Sequence, residues 1–124
     1  MTTKLDKGWY GLDLDGTVAR CYWHDVGASN YDPLIIGEPL LPMIKQVKKW
    51  LAEGIDVRIF TARVADYSPA DTAIIVKVIE KWCLKNIGQI LPVTNIKDQN
   101  MLLLFDDRAR RVEYNTGRII DEYE

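Results

Sequence analysis

The sequence predicts an α/β fold built on a parallel sheet, and three observations predict it. Segments of strand and helix character alternate along the chain. The run "MLLLF" at 101–105 is continuously apolar, the pattern of a parallel strand buried on both faces. Three strand candidates end in acidic or hydroxyl residues, as expected where right-handed crossovers gather strand C-termini along one ligand-binding edge.

Each element follows from its own residues. Residues 8–14 mix aromatic and aliphatic side chains and read as a buried strand. The segment from Gly16 to about Pro39 carries Gly, Asn, Asp and Pro with no sustained period, so a long loop is expected. Loops beyond about 12–15 residues in compact domains are usually functional or disordered. Residues 42–53, "PMIKQVKKWLAE", predict a helix: Pro42 suits the first turn, Ile44, Val47, Trp50 and Leu51 share a face, and Gly54 ends it. "IDVRIF" at 55–60 alternates and predicts a second strand. Ser68 is then the N-cap and Pro69 the first residue of a second helix, with an apolar stripe through Ile74, Ile75, Val78, Ile79 and Trp82 and a stop at Gly88. Residues 90–93 suit a short strand before 101–105.

Composition narrows the function classes. The 124 residues suit one domain, 1–124, with a single core. Hydrophobic residues make up 48% and charged ones 27%, as in a folded globular chain. The formal charge of -2 leaves no basic surplus for binding long nucleic acid by counterion release. Two cysteines, Cys21 and Cys83, and one histidine, His24, suggest neither a disulfide framework nor a zinc site. "MTTKLDKGWYG" at 1–11 lacks an apolar signal core, and no apolar run approaches the roughly 18 residues needed to span a bilayer. A cytoplasmic protein with reduced thiols and no membrane partner is expected.

The chemistry concentrates at the strand ends. Asp13 and Asp15 follow the first strand, Thr61 the second, Asp106 and Asp107 the last. Side chains at i and i+2 of a strand point the same way, so Asp13 and Asp15 are expected to share a region with Asp106, held together by a cation. Several oxygens around one point suit a hard ion, and Mg²⁺ fits best because it takes few carboxylates and keeps water and substrate phosphate. A calcium-binding EF-hand loop is excluded: counted from Asp13, position 12 is His24 where a Glu is needed. A hairpin at Asp15-Gly16 lacks a partner strand of matched pattern in the next twenty residues.

These motifs, in order, resemble the haloacid dehalogenase-like (HAD) superfamily of phosphohydrolases. They are "LDLDGTVA", "VRIFTAR", Lys97 in "TNIKDQN", and "LLLFDDRARRV", and they span about residues 8–112. "DDR" with "FTAR" is also similar to the 3′-phosphatase domain of phage polynucleotide kinases. The resemblance implies a Rossmann-like three-layer α/β/α sandwich with a mostly parallel sheet and no cap domain, only a flap at about 17–39. It implies Asp13 as nucleophile, forming an aspartyl-phosphate, and Asp15 as proton donor and acceptor. Thr61 and Lys97 would hold the phosphoryl oxygens. Mg²⁺ would be bound by Asp13 and Asp106 side chains and the Asp15 backbone carbonyl, with Asp107 supporting the metal shell or positioning Lys97. Gly16, which lets the chain turn sharply, Thr17 and Arg63 are the substrate-binding candidates. Arg63 and Arg108 could equally pair with nearby carboxylates.

A capless site is open to a large substrate, such as a phosphorylated polymer end, or to a second subunit forming a homodimer. The flap aromatics Tyr22, Trp23 and Tyr31 either pack the flap onto the body or stack on a base. A phospho-accepting receiver domain has this length and fold type but a different motif order. A non-catalytic phosphate-binding module keeps the fold yet leaves the catalytic residue types without a purpose. The expected activity is hydrolysis of a phosphorylated small molecule or nucleotide. A polynucleotide 3′-end is the alternative, which the pI near 5.4 and the acidic "DEYE" at 121–124 disfavour.

Overall fold

The computed structural model describes residues 8–120, so the expectations for 1–7 and for the acidic end at 121–124 lie outside the described residues. Among the described residues four strands form one all-parallel sheet: β1 (Trp9–Leu12), β2 (Asp56–Phe60), β3 (Val93–Thr94) and β4 (Met101–Phe105), in the order β3-β2-β1-β4. Three α-helices accompany them among the described residues: short α1 (Trp23–Val26), then α2 (Leu41–Ala52) and α3 (Pro69–Asn86). No helix among the described residues is long and apolar enough to cross a membrane.

The crossovers β1–α2–β2 and β2–α3–β3 step across the sheet in the same direction. Right-handedness therefore lays both helices over the same face. The packing agrees, since Ile44, Val47 and Trp50 of α2 and Ile75, Ile79 and Cys83 of α3 join Tyr10, Leu12, Val57 and Ile59 in one buried cluster. Trp50, Tyr10 and Phe105 interlock there, with ring centroids 4.5–5.6 Å apart. Ser68 caps α3 through its hydroxyl, which accepts the Asp71 N–H at 3.1 Å, and Pro69 opens the helix as expected. The stripe on α3 is narrower than predicted. Ile75, Ile79 and Cys83 recur at i, i+4, i+8 and are buried, whereas Ile74 is 52% exposed.

On the other face the Trp9 ring lies under Arg58, 4.8 Å from its guanidinium, and beside Phe60. Residues 95–100 return the chain from β3 to β4 without a helix, and they are held at the start of β1. The Trp9 indole donates to Asp98 Oδ1 at 2.8 Å, and the Trp9 N–H to the Asn100 carbonyl at 2.9 Å. β4 is not the fully buried strand its sequence predicts. It pairs with β1 alone among the described strands, and Leu103 is 44% exposed at that edge. β3 is later and shorter than the expected 90–93, because Pro92 has no N–H to give the ladder; its carbonyl still accepts from Ile59 at 2.8 Å.

The long loop proves to be an organised flap. Its two arms pair at the base, Arg20 N–H to the Glu38 carbonyl and Leu40 N–H to the Val18 carbonyl, both at 2.8 Å. This pairing closes the flap and leaves Asp15-Gly16 outside any hairpin, as the sequence predicts. Gly37 allows the close approach, since a Cβ there would collide with the Arg20 carbonyl. The Trp82 indole of α3 donates to the Gly37 carbonyl at 2.9 Å and holds the base against the body.

Candidate functional site

The parallel register carries β1 and β4 to the same level, with Leu12 beside Phe105. The next residue on each strand is an aspartate. The Asp13 N–H donates to the Phe105 carbonyl at 2.9 Å, which brings Asp13 beside Asp106. Carboxylate oxygens of Asp13, Asp106 and Asp107 lie within 4.8 Å of one another.

The turn after β1 completes this group. The Leu14 carbonyl accepts N–H groups from Thr17, Val18 and Ala19, folding the chain back on itself. Gly16 takes φ +91, and a Cβ there would stand 2.9 Å from Asp107 Oδ2, so both conformation and space require glycine. Thr17 Oγ1 lies 3.1 Å from Asp13 Oδ2 and 3.1 Å from Asp107 Oδ1, and it accepts the Asp107 N–H. Having one proton, the hydroxyl donates to one carboxylate at a time. Asp106 Oδ1 accepts the Arg108 N–H at 2.8 Å. An open depression of about 350 Å³ adjoins the group, lined by Gly16, Thr17, Met43, Phe105, Asp106 and Asp107. Met43, in the first turn of α2, carried no signal in the sequence.

Three acidic groups this close cannot all ionise freely. The Asp13 carboxyl is pushed up to about 7, chiefly by burial, then by its hydrogen bond with Asp107 and the charge of Asp106; the Thr17 hydroxyl opposes the rise. A proton relieves the repulsion in the metal-free protein. A hard divalent cation would relieve it more fully, and an all-oxygen donor set facing one point fits such an ion.

Asp15 departs from expectation. Its carboxylate is not one of the three clustered groups. Both of its oxygens instead accept from the Arg63 guanidinium, Oδ2 from Nε at 2.8 Å and Oδ1 from Nη2 at 2.9 Å. The strand rule that placed Asp13 and Asp15 together fails because β1 ends at Leu12 and Asp15 already stands in the turn, bridged to Ala19. The positive charge answering Asp15 is a side chain.

Arg63 itself is 3% exposed and also donates Nη1 to the Pro33 carbonyl of the flap at 2.9 Å. Of its two expected roles, substrate contact or carboxylate partner, the geometry matches the second. Thr61, directly after β2, is buried. Its N–H donates to the Thr94 carbonyl at 3.0 Å, and its Oγ1 accepts the Arg63 N–H at 3.1 Å, starting the short 3₁₀ turn Ala62–Val64. Lys97 is exposed on the segment between β3 and β4, and no hydrogen bond or ion pair among the described residues joins it to the acidic group.

The flap aromatics pack with one another. Trp23 meets Tyr22 and Tyr31 edge-on at 5.3 Å and 4.6 Å between centroids, and the Tyr22 hydroxyl donates to the Asp32 carbonyl at 2.9 Å. Cys21 and Cys83 are free thiols, and burial pushes the Cys83 thiol up to about 11. No protein-family model matches the chain, and no curated protein or solved structure matches it.

Proposed function

We propose that this protein is a Mg²⁺-dependent phosphomonoester hydrolase, a capless cytoplasmic enzyme of the HAD-like superfamily with a Rossmann-like core, acting on a phosphorylated small molecule or nucleotide. One observation carries the proposal. At the C-terminal edge of a parallel sheet, Asp13 joins Asp106 and Asp107 in an acidic group, while Asp15, two residues on, is held apart by Arg63. Such an arrangement separates a metal-associated nucleophile from an acid–base carboxyl. Strand order β3-β2-β1-β4 with parallel pairing supports the fold reading.

In this scheme an Asp13 oxygen attacks phosphorus, the bond to the leaving oxygen breaks, and an aspartyl-phosphate forms. Asp15 handles the proton on the leaving oxygen and later takes one from the attacking water. Mg²⁺ would be held by Asp13, Asp106, Asp107 and the Asp15 carbonyl, and would supply positive charge against the phosphoryl oxygens. Thr61 and Lys97 are the chain's own donors to those oxygens, Lys97 moving or reorienting from its exposed position to do so.

A second reading keeps the chemistry and makes the substrate a polynucleotide 3′-end. The observation favouring it is the exposed segment carrying Arg108, Arg110 and Arg111 directly after Asp107.

The test is phosphate release from sugar phosphates, mononucleotides, and 3′- and 5′-phosphorylated oligonucleotides, with Mg²⁺ or EDTA. Metal-dependent turnover that disappears in Asp13→Asn supports the proposal, and the preferred ester decides between the two readings. Mg²⁺ binding without turnover on any ester points instead to a phosphate-binding or regulatory module.

A further inference from the structure

One buried charge has no part in the scheme above. Arg63 has a relative exposure of 3%, and the two ends of its guanidinium serve different parts of the chain. Nε and Nη2 grip both oxygens of Asp15, in the turn after β1; Nη1 holds the Pro33 carbonyl, in the flap. The Trp23 and Tyr31 rings, also of the flap, stand 5.6 Å and 5.2 Å from the guanidinium carbon. Burying an ion pair is expensive, and hydrophobic replacement is often at least as stabilising. What a two-point Arg–carboxylate fork supplies is direction, because it fixes the plane of the carboxylate, which a lysine cannot do.

We infer that Arg63 is a positioning residue through which the flap aims Asp15 at the water that breaks down the phospho-enzyme. The inference rests on the phosphatase reading. Each Asp15 oxygen accepts one N–H from Arg63 and retains a second lone pair for a water proton. In the step served, the water oxygen bonds to phosphorus and the Asp13–phosphorus bond breaks. The water proton passes to Asp15, and inorganic phosphate leaves. Trp23 and Tyr31 act through Arg63, by holding the guanidinium between the flap and the turn. This role also accounts for aromatics that pack among themselves and on a cation.

The experiment is rapid-mixing kinetics with p-nitrophenyl phosphate and Mg²⁺, an ester whose leaving group departs without a proton. Steady-state turnover and the covalent phosphate trapped by acid quench are measured for wild type, Arg63→Lys, Trp23→Leu and Asp15→Asn, with melting curves for each. Arg63→Lys is expected to lower steady turnover by roughly tenfold to a hundredfold, the scale of a small misplacement of a reacting group. It should also accumulate covalent phosphate toward one per site, and Trp23→Leu should shift both readouts the same way by less. In an Asp15→Asn background, Arg63→Lys should change neither further. Slower turnover without accumulated phospho-enzyme, or an undiminished effect of Arg63→Lys in the Asp15→Asn background, overturns the inference and leaves the phosphatase reading intact. A wild type silent on this ester and on the whole panel above overturns the phosphatase reading itself. Should Arg63→Lys fail to fold, Trp23→Leu decides alone: accumulation sustains the inference, and wild-type partition refutes it.

Discussion

Mg²⁺ binding should tighten with rising pH in a way the site geometry sets. With the Asp13 carboxyl pushed up to about 7, a cation that needs its charged form must first displace a proton. The ionised share of such a group is about one in eleven at pH 6 and about ten in eleven at pH 8, so the apparent dissociation constant should fall about tenfold, or ~1.4 kcal/mol. Nearly one proton should be released per ion at pH 6 and nearly none at pH 8. Isothermal titration in two buffers of different ionisation enthalpy measures both quantities. The same group acts on the metal-free fold with a definite sign. Its folded-state value lies above the ordinary 3.8, so its contribution to stability is full below about pH 4 and is lost as pH rises through about 7. Asp13→Asn should therefore melt higher than wild type at pH 8 without metal, and the gap should close towards pH 4. A dissociation constant flat between pH 6 and 8 with no proton release would refute the reasoning.

Gly16→Ala should lower stability by about 1–2 kcal/mol from the positive φ alone, and by displacing Asp107 it should also weaken Mg²⁺ binding; melting curves and titration read the two effects separately. Ser68→Ala removes the hydroxyl that accepts the Asp71 N–H and should destabilise by about 1 kcal/mol in urea unfolding, with no change in metal affinity. Ile79→Ala opens a hole where α3 meets the sheet and should reduce stability by about 2–5 kcal/mol, read from the urea midpoint.

Those elements whose signals are local could be read in the sequence. Ser68-Pro69 marks the start of α3 because a cap and a fixed φ act within one turn, and "MLLLF" coincides with β4 because a short, continuously apolar run suits a parallel strand. The aspartates of the acidic group were legible for the same reason, since they follow their strands directly. Partnerships between distant segments were not. Nothing near Arg63 says that its guanidinium meets Asp15, 48 positions away, rather than a ligand. The exposure of Leu103 depends on what lies beyond the sheet edge, which an apolar run does not reveal. Three-residue arms such as 18–20 and 38–40 pair without room for a periodic pattern.

The Thr17–Asp107 hydrogen bond spans 90 positions, and with it the acidic group joins the first strand to the last. The 90 positions between Thr17 and Asp107 must be made before the two halves of the group can meet, so a chain emerging from the ribosome lacks the acidic group until β4 follows β1 into the sheet. A divalent ion shared by Asp13 and Asp106 would then behave as a reversible clasp on a long chain loop. Such closure favours the folded state most when the loop is long. Chelation should accordingly loosen the pairing of β1 with β4 first, and hydrogen exchange at the β4 amides would register this before the α2 and α3 interiors respond.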